Sequence, residues 1–192
     1  MKNQSSLPSN YVLKESYDLK GKKENARIQV LFFMICIIFV GIYLLLEPVK
    51  STLHGGLIAV ITIVGLVTYM ILHELTHGLT ISLLSKTKST YAIRFPFLTT
   101  GTEAYLNKMS FIIVCLSPSV LFGLIIGIIL FFIPQDYFLS LFIIFGLNFA
   151  GSSGDYYQTY IVMKTKRESL IKDDGEKTNI FQEIDLFEGQ PN

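Results

Sequence analysis

The sequence predicts an all-α membrane protein with four transmembrane helices and a small cytoplasmic strand-like hairpin between the second and third helices. Apolar residues are concentrated in four long runs, and charged residues lie almost wholly between those runs. In the loop after the second run, residues 91–97 alternate bulky apolar side chains with others, which is the two-residue period of a strand. The helical runs and this short alternating segment together predict the fold class.

The four apolar runs predict membrane spans at residues 28–46, 56–84, 109–133 and 137–163. A bilayer core about 30 Å thick needs roughly 20 apolar residues of helix, and each run is close to that length or longer. The alternative, a helical bundle in water, is disfavoured because four helices that are apolar all round leave no face for solvent.

The runs divide the chain into an N-terminal tail (1–27), a four-span membrane domain (28–163) and a C-terminal tail (164–192). The N-terminal tail, the three loops and the C-terminal tail contain 6, 1, 4, 0 and 5 of the 16 Lys and Arg residues, in that order. Basic residues favour the cytoplasmic side, so we expect a multi-pass cell-membrane protein with both termini and the 85–108 loop in the cytoplasm. We expect the C-terminal tail to be solvated and weakly ordered.

The 85–108 loop is predicted to contain a hairpin. Residues 91–97 predict one strand, residues 99–102 a turn, and residues 103–107 a returning strand. Pro96 favours an edge position because proline cannot donate to a strand ladder. The alternative is an irregular amphipathic loop that lies on the lipid headgroups.

Charge and cysteine content argue against two other classes of protein. The net charge is +1, whereas nucleic-acid-binding proteins usually carry a strongly basic face. Cys36 and Cys115 both fall within predicted spans, so we interpret them as small packing residues and not as a disulfide framework.

The second span contains the sequence His73-Glu74-Leu75-Thr76-His77. Histidines four residues apart share a helix face, with side chains roughly 6 Å apart. In the zinc-protease pattern H-E-x-x-H, the histidines bind zinc and the glutamate is the general base for a metal-activated water. Each ionisable group within lipid costs about 2.5–3.5 kcal/mol on insertion scales, and metal binding offsets that cost. The alternative is histidines that are satisfied by hydrogen bonds in a packed bundle.

A catalytic zinc needs a third protein ligand. The remaining candidates are His54, Glu103, Asp136 and Asp155. His77 lies about 12 Å from the inner end of the second span, and Asp155 lies about 13.5 Å from the inner end of the fourth. These two spans run in the same direction, so the matching depths favour Asp155, with Glu103 as a weaker alternative.

Residues 151–154, Gly-Ser-Ser-Gly, are small enough to let two helices approach closely or to break the helix before Asp155. If they only mark tight packing, Asp155 pairs with Lys164 or Lys166 at the interface. Asn148 lies seven residues before Asp155, on nearly the same face, and could contact a substrate carbonyl or an oxyanion. An interhelical hydrogen bond is an equally good interpretation of Asn148.

The surroundings of the motif resemble a known family. Four features carry the resemblance: the motif followed by Gly78, a loop with strand character after it, Ser117-Pro118 in the third span, and Gly154-Asp155 in the fourth. They are similar to the bacterial zincin-type membrane metallopeptidases formerly known only as a domain of unknown function. That family is similar in layout to the site-2 protease group of intramembrane zinc proteases. The resemblance covers about residues 50–165.

The resemblance implies that His73, His77 and Asp155 bind Zn²⁺ and that Glu74 activates water. One difference is that site-2 proteases carry their aspartate in a Leu-Asp-Gly context, whereas here Gly154 precedes Asp155. Ser117-Pro118 predicts a kink in the third span that opens space beside the metal.

These features favour a zinc-dependent endopeptidase that cuts membrane-anchored or membrane-adjacent proteins within or beside the bilayer. An extended substrate could add to the edge of the 91–97 strand. Two other classes remain: a small cation transporter and a non-catalytic metal-binding scaffold. Four spans without repeated halves argue against the transporter, whereas an inactive enzyme used as a scaffold would carry the same residues.

Overall fold

The computed structural model describes residues 3–46, 51–94 and 97–184, and only the backbone of residues 93–94 and 97–98. The elements in chain order are β1 (Tyr11–Asp18), α1 (Lys22–Leu46), α2 (Gly55–Ser85), β2 (Ser89–Arg94), β3 (Phe97–Thr102), β4 (Leu106–Asn107), α3 (Lys108–Leu130), α4 (Gln135–Gly151), α5 (Ser153–Met163), β5 (Leu170–Asp173) and β6 (Lys177–Glu183).

Within the described residues, four helical segments are long and apolar enough to cross a membrane: α1, α2, α3, and α4 together with α5. Their mean hydropathy ranges from 1.4 to 2.8. Large apolar side chains cover their outer faces, as at Ile37 and Leu83, which are each 70% exposed. Contiguous apolar surface of this extent is typical of contact with lipid. The prediction of four apolar helices of spanning length is therefore confirmed.

The fourth apolar segment is two helices. α4 ends at Gly151 and α5 begins at Ser153. At the break, Ser152 Oγ donates to the Asn148 carbonyl (2.8 Å) and Ser153 Oγ donates to the Ala150 carbonyl (2.6 Å), so hydroxyl groups satisfy carbonyls at the end of α4. Asp155 consequently falls in the first turn of α5, where the helix dipole favours a carboxylate.

Both ends of the chain contribute to one antiparallel sheet, in the order β1-β6-β5-β4. β1 precedes α1, β4 precedes α3, and β5 follows α5, so the N-terminal segment, the 85–108 loop and the C-terminal segment meet at one end of the helices. The expectation of a weakly ordered C-terminal tail is wrong for residues 170–183. Leu170, Ile171 and Ile180 are fully buried, and burial of these apolar side chains holds the tail in the sheet.

The predicted hairpin exists, but its register differs from the prediction. β2 pairs with β3 from Ser89–Thr102 to Arg94–Phe97. Residues 99–102, which were expected to form the turn, are the returning strand, and their β-branched threonines suit a strand. β4, within the predicted returning strand, pairs with β5 instead. Pro96 lies outside the described residues.

The buried residues form two clusters. One lies where the four-stranded sheet meets α3 and α5, and it includes Leu106, Val162 and Ile180. The other lies between α2, α3 and α4 around Tyr69, Ile126 and Ile144. The candidate site lies beside Tyr69, on the inward face of α2.

Candidate metal centre

Three side chains from two helices converge at the centre of the helical bundle. His73 and His77 come from α2, and their Nε2 atoms are 3.1 Å apart. Asp155 comes from α5, and its two carboxylate oxygens face one histidine each: Oδ2 lies 3.4 Å from His73 Nε2 and Oδ1 lies 3.4 Å from His77 Nε2. The three side chains are 11%, 10% and 16% exposed, so the group is buried but not sealed. Among the described residues, these three form the group of His, Cys, Asp and Glu that could hold a metal ion.

The hydrogen bond of His77 fixes which ring nitrogen faces the centre. His77 Nδ1 lies 2.9 Å from the Val114 carbonyl oxygen, which can only accept, so Nδ1 carries the hydrogen. Pro118 lies four residues after Val114 in α3 and has no N–H to donate to that carbonyl. The proline thus removes a backbone donor from this carbonyl, which accepts instead from His77 Nδ1 and from the Ser117 hydroxyl (3.0 Å). His77 accordingly directs its Nε2 lone pair inward.

The ring of His73 is oriented by a chain of three hydrogen bonds. Asn148 Nδ2 donates to the Ser119 carbonyl (3.0 Å), so Asn148 presents its oxygen to Tyr69. The Tyr69 hydroxyl donates to that oxygen (3.0 Å), and its own oxygen therefore accepts from His73 Nδ1 (2.8 Å). His73 accordingly also directs its Nε2 lone pair toward the centre. Partners of this kind set the tautomer and orientation of histidines that bind metals.

Two unprotonated ring nitrogens and a carboxylate that face one another repel unless a positive charge lies between them. The distances suit a metal ion. Tetrahedral zinc with bonds of about 2.0–2.1 Å separates its ligand atoms by about 3.3 Å. This is close to the 3.1 Å between the two Nε2 atoms and to the 3.4 Å from each nitrogen to its nearer Asp155 oxygen. Two imidazoles and one carboxylate are also a ligand set typical of catalytic zinc, with a fourth position left open. The residues present therefore fit the metal that the sequence analysis expects.

Glu74 is held by the β2–β3 hairpin. The Thr100 hydroxyl lies 2.8 Å from Glu74 Oε2 and 3.0 Å from the Glu74 backbone carbonyl, so its hydrogen is shared between the two oxygens. The hairpin reaches this position because Gly78 leaves the surface of α2 bare. A Cβ atom at Gly78 would lie 2.8 Å from Ser89 Oγ and would also collide with the Tyr91 hydroxyl.

The other candidates for a third ligand have different partners. His54 accepts from the Gly56 N–H and caps α2. Glu103 pairs with Lys172. Asp136 accepts from the backbone and hydroxyl of Thr52, near the opposite end of the bundle from the sheet. Of the four candidates, the structure thus brings Asp155 to the two histidines. His54, Glu103 and Asp136 lie elsewhere.

Asn148 is fully buried, and its amide makes the two hydrogen bonds to Tyr69 and Ser119 described above. Of the two interpretations of Asn148 given above, a substrate contact and an interhelical hydrogen bond, these contacts correspond to the second. Tyr69 and Thr100 were missed as functional residues. Tyr69 precedes His73 by four residues, which places the two on one helix face and could have suggested the contact. No local signal links Thr100 to Glu74.

A family model described as "Putative zincin peptidase" matches residues 66–170 of the chain. The match spans more than half of the chain and includes His73, Glu74, His77 and Asp155. No curated protein and no solved structure matches the chain.

Proposed function

Because the chain belongs to the family of putative zincin peptidases, we propose that it is a zinc-dependent endopeptidase that hydrolyses peptide bonds of membrane-associated proteins. The single observation that carries the proposal is the convergence of His73, His77 and Asp155, whose inward lone pairs suit a bound cation. Glu74, next to His73 in the sequence, supplies the acid–base group that a peptidase needs and a passive metal site does not.

The proposed ligands are His73 and His77 through Nε2 and Asp155 through its carboxylate. When bound, zinc polarises the scissile carbonyl and lowers the pKa of a coordinated water toward 7. Tyr69 and the Val114 carbonyl keep the two rings in the tautomer that presents Nε2. Glu74 takes the proton from the attacking water and delivers it to the leaving amine as the peptide bond breaks. Asn148 acts through Tyr69, since its amide is buried among helix contacts.

The β2–β3 hairpin is the proposed docking element for substrate. Proteolysis needs an extended backbone, and a two-stranded sheet offers strand edges to which such a backbone can add. The hairpin contacts α2 at Glu74 and Gly78, so a peptide added there lies beside the proposed ligands. We propose that the substrate is anchored in or adjacent to the cell membrane, with the hairpin on the cytoplasmic side.

The two other classes are less well supported. A transporter needs a path across the membrane, whereas the described carboxylate and imidazole groups of the bundle interior are gathered at one depth. A scaffold would need the three ligands but would have no use for Glu74 beside them. The family description favours the peptidase over both.

The test compares the parent protein with Glu74→Gln, both reconstituted with zinc and incubated with a panel of single-span peptides. Cleavage is followed by mass spectrometry. The amide keeps the shape of the side chain and should leave zinc bound, because Glu74 is not a ligand in this mechanism. We expect cleavage to fall by about 10²–10⁴-fold, the usual contribution of general acid–base catalysis. Glu103→Gln, which removes an exposed acid that follows β3, is the control and should cleave like the parent.

Equal cleavage by the parent and Glu74→Gln would refute the assigned mechanism. Absence of product from both, with zinc bound, would favour the scaffold. A scaffold would also keep its function in Glu74→Gln, because metal and shape survive in that variant.

A further inference from the structure

The geometry points to Thr100 as a positioning residue for Glu74: its hydroxyl holds the Glu74 carboxylate in place from the neighbouring hairpin. This inference rests on the proposed function, in which Glu74 is the general base. It assigns a role to a residue outside the H-E-x-x-H sequence and outside the metal ligands.

The Thr100 hydroxyl contacts both the side chain and the backbone carbonyl of Glu74. Thr100 Oγ1 lies 2.8 Å from Glu74 Oε2 and 3.0 Å from the Glu74 carbonyl oxygen. A donor shared between side chain and backbone of the same residue restricts the rotation of that side chain. It also occupies only one carboxylate oxygen, so the other stays available to accept a proton from water. Glu74 is partly exposed, and without such a partner a long carboxylate side chain samples several rotamers.

The opposite face of β3 is fixed by the turn between β5 and β6. Successive side chains of a strand point to opposite faces, so Thr99 and Gly101 face away from Thr100. A Cβ atom at Gly101 would lie 2.8 Å from the Asp174 carbonyl carbon, so this strand can approach the turn only because the residue is glycine. Gly175, at φ +83°, lies against Thr99 from the same turn.

The turn is itself held by buried polar contacts. Asp173 accepts from the Gly175 N–H (2.6 Å) and from the Thr178 hydroxyl (2.9 Å), and it also accepts from Gln158 of α5. β3 therefore lies between a fixed turn and α2, and this position sets the reach of Thr100 toward Glu74. An interaction that served only to close the hairpin would not need to end on the carboxylate.

The test uses Thr100→Val, which keeps the shape and removes the donor, and Thr100→Ser, which restores the donor. Thr68→Val is the matched control, since Thr68 lies outside the hairpin, its side chain is exposed, and its hydroxyl bonds the Val64 carbonyl of its own helix. Steady-state cleavage is measured for each, and zinc content confirms that the ligands are intact. We expect kcat of Thr100→Val to fall about 10–100-fold, the loss typical of misplacing a catalytic group, with KM within about twofold. Thr100→Ser should recover most of kcat, and Thr68→Val should match the parent.

Two further measurements separate positioning from a structural role. In the Glu74→Gln background, Thr100→Val should change the residual rate less than about twofold, because the group that it positions is already gone. The same loss in both backgrounds would overturn the inference, as would a parent-like kcat for Thr100→Val. If Thr100→Val does not fold, Thr100→Ala provides the same comparison.

An infrared measurement tests the hydrogen bond from Thr100 to the Glu74 carboxylate without relying on cleavage. The carboxylate band of Glu74 is isolated as the difference between the parent and Glu74→Gln spectra, and it should shift in Thr100→Val but not in Thr68→Val. If the parent cleaves no peptide, the proposed function fails. A band shift in Thr100→Val would still support the hydrogen bond from Thr100 to Glu74. An unchanged band would overturn that hydrogen bond whatever the activity.

Discussion

His73 Nδ1 lies 2.8 Å from the hydroxyl oxygen of Tyr69, one helical turn earlier on α2. The Tyr69 proton is directed to Asn148 of α4, so the tyrosine accepts from the histidine ring. This contact decides which nitrogen of His73 is free to bind a metal, and it ties the orientation of the ring to the packing of α2 against α4.

Tyr69→Phe should therefore weaken zinc binding while leaving the fold intact. The variant removes the acceptor of the His73 Nδ1 hydrogen, and loss of such partners typically costs about 10–100-fold in metal affinity. Affinity is measured by competition with a chromophoric chelator. Tyr137→Phe, on the surface of α4, is the control and should bind like the parent. Equal affinities of parent and Tyr69→Phe would show that the tyrosine does not orient the ligand.

The purified protein should hold about one zinc per chain, and Asp155→Ala should lose it. Removal of a ligand should cost more than the 10–100-fold typical of an outer partner. Asp136→Ala is a matched control, because Asp136 is the other acid of the fourth apolar segment and bonds Thr52 instead. Metal analysis and chelator competition provide the readout. Unchanged stoichiometry and affinity in Asp155→Ala would remove Asp155 from the site.

The parts of the fold that were predicted correctly depend on local patterns. The four helices follow from uninterrupted apolar runs, and the pairing of His73 with His77 follows from their spacing along one helix. Asp155 was predicted from its depth in the fourth span. Two helices that run in the same direction have the same rise per residue, so residues equally far from their inner ends lie at similar depths. The break at Ser152 was one of two interpretations of the small residues that surround it.

The parts that were missed depend on contacts between distant segments. Strand pairing between β1 and β6 joins the two ends of the chain, and no local pattern specifies that partner. The C-terminal segment is rich in charge, which suggested disorder, yet Ile171 and Ile180 are paired and buried. The Thr100 hydrogen bond to Glu74 likewise depends on the register of β3, which was predicted wrongly.

The sheet makes a specific prediction about membrane topology. β1, β4 and β5 come from the N-terminal segment, the 85–108 loop and the C-terminal segment, so all three must lie on one side of the membrane. The basic residues favour the cytoplasmic side. In a variant without native cysteines, exposed cysteines at Ser6, Thr90 and Glu168 should resist an impermeant maleimide in intact cells and react after permeabilisation.

Gln135→Cys, at the exposed start of α4 and at the opposite end of the helices, is the control for this topology and should react in intact cells. If the three positions divided between the two sides, the sheet could not form as described. If all three reacted from outside, the sheet would stand and the orientation would be reversed.

The last prediction concerns Asp173 and the pH dependence of stability. Asp173 as a whole is partly exposed, but its carboxylate is enclosed by Gln158 and Thr178. This burial raises the pKa of Asp173 from 3.8 to about 6. Between pH 3.8 and 6 the folded state therefore binds more protons at this site than the unfolded state. The contribution of Asp173 to the free energy of unfolding is fully present below pH 3.8 and is lost as the pH rises through 6.

A pKa difference of about two units corresponds to about 3 kcal/mol, an upper bound on this contribution. We expect the free energy of unfolding of the parent, minus that of Asp173→Asn, to fall by up to this amount between about pH 4 and 7. Unfolding in detergent is followed across this range for both proteins, and the subtraction removes the titration of groups that they share. A constant difference for Asp173→Asn would mean that its carboxylate titrates in the folded protein as it does in water.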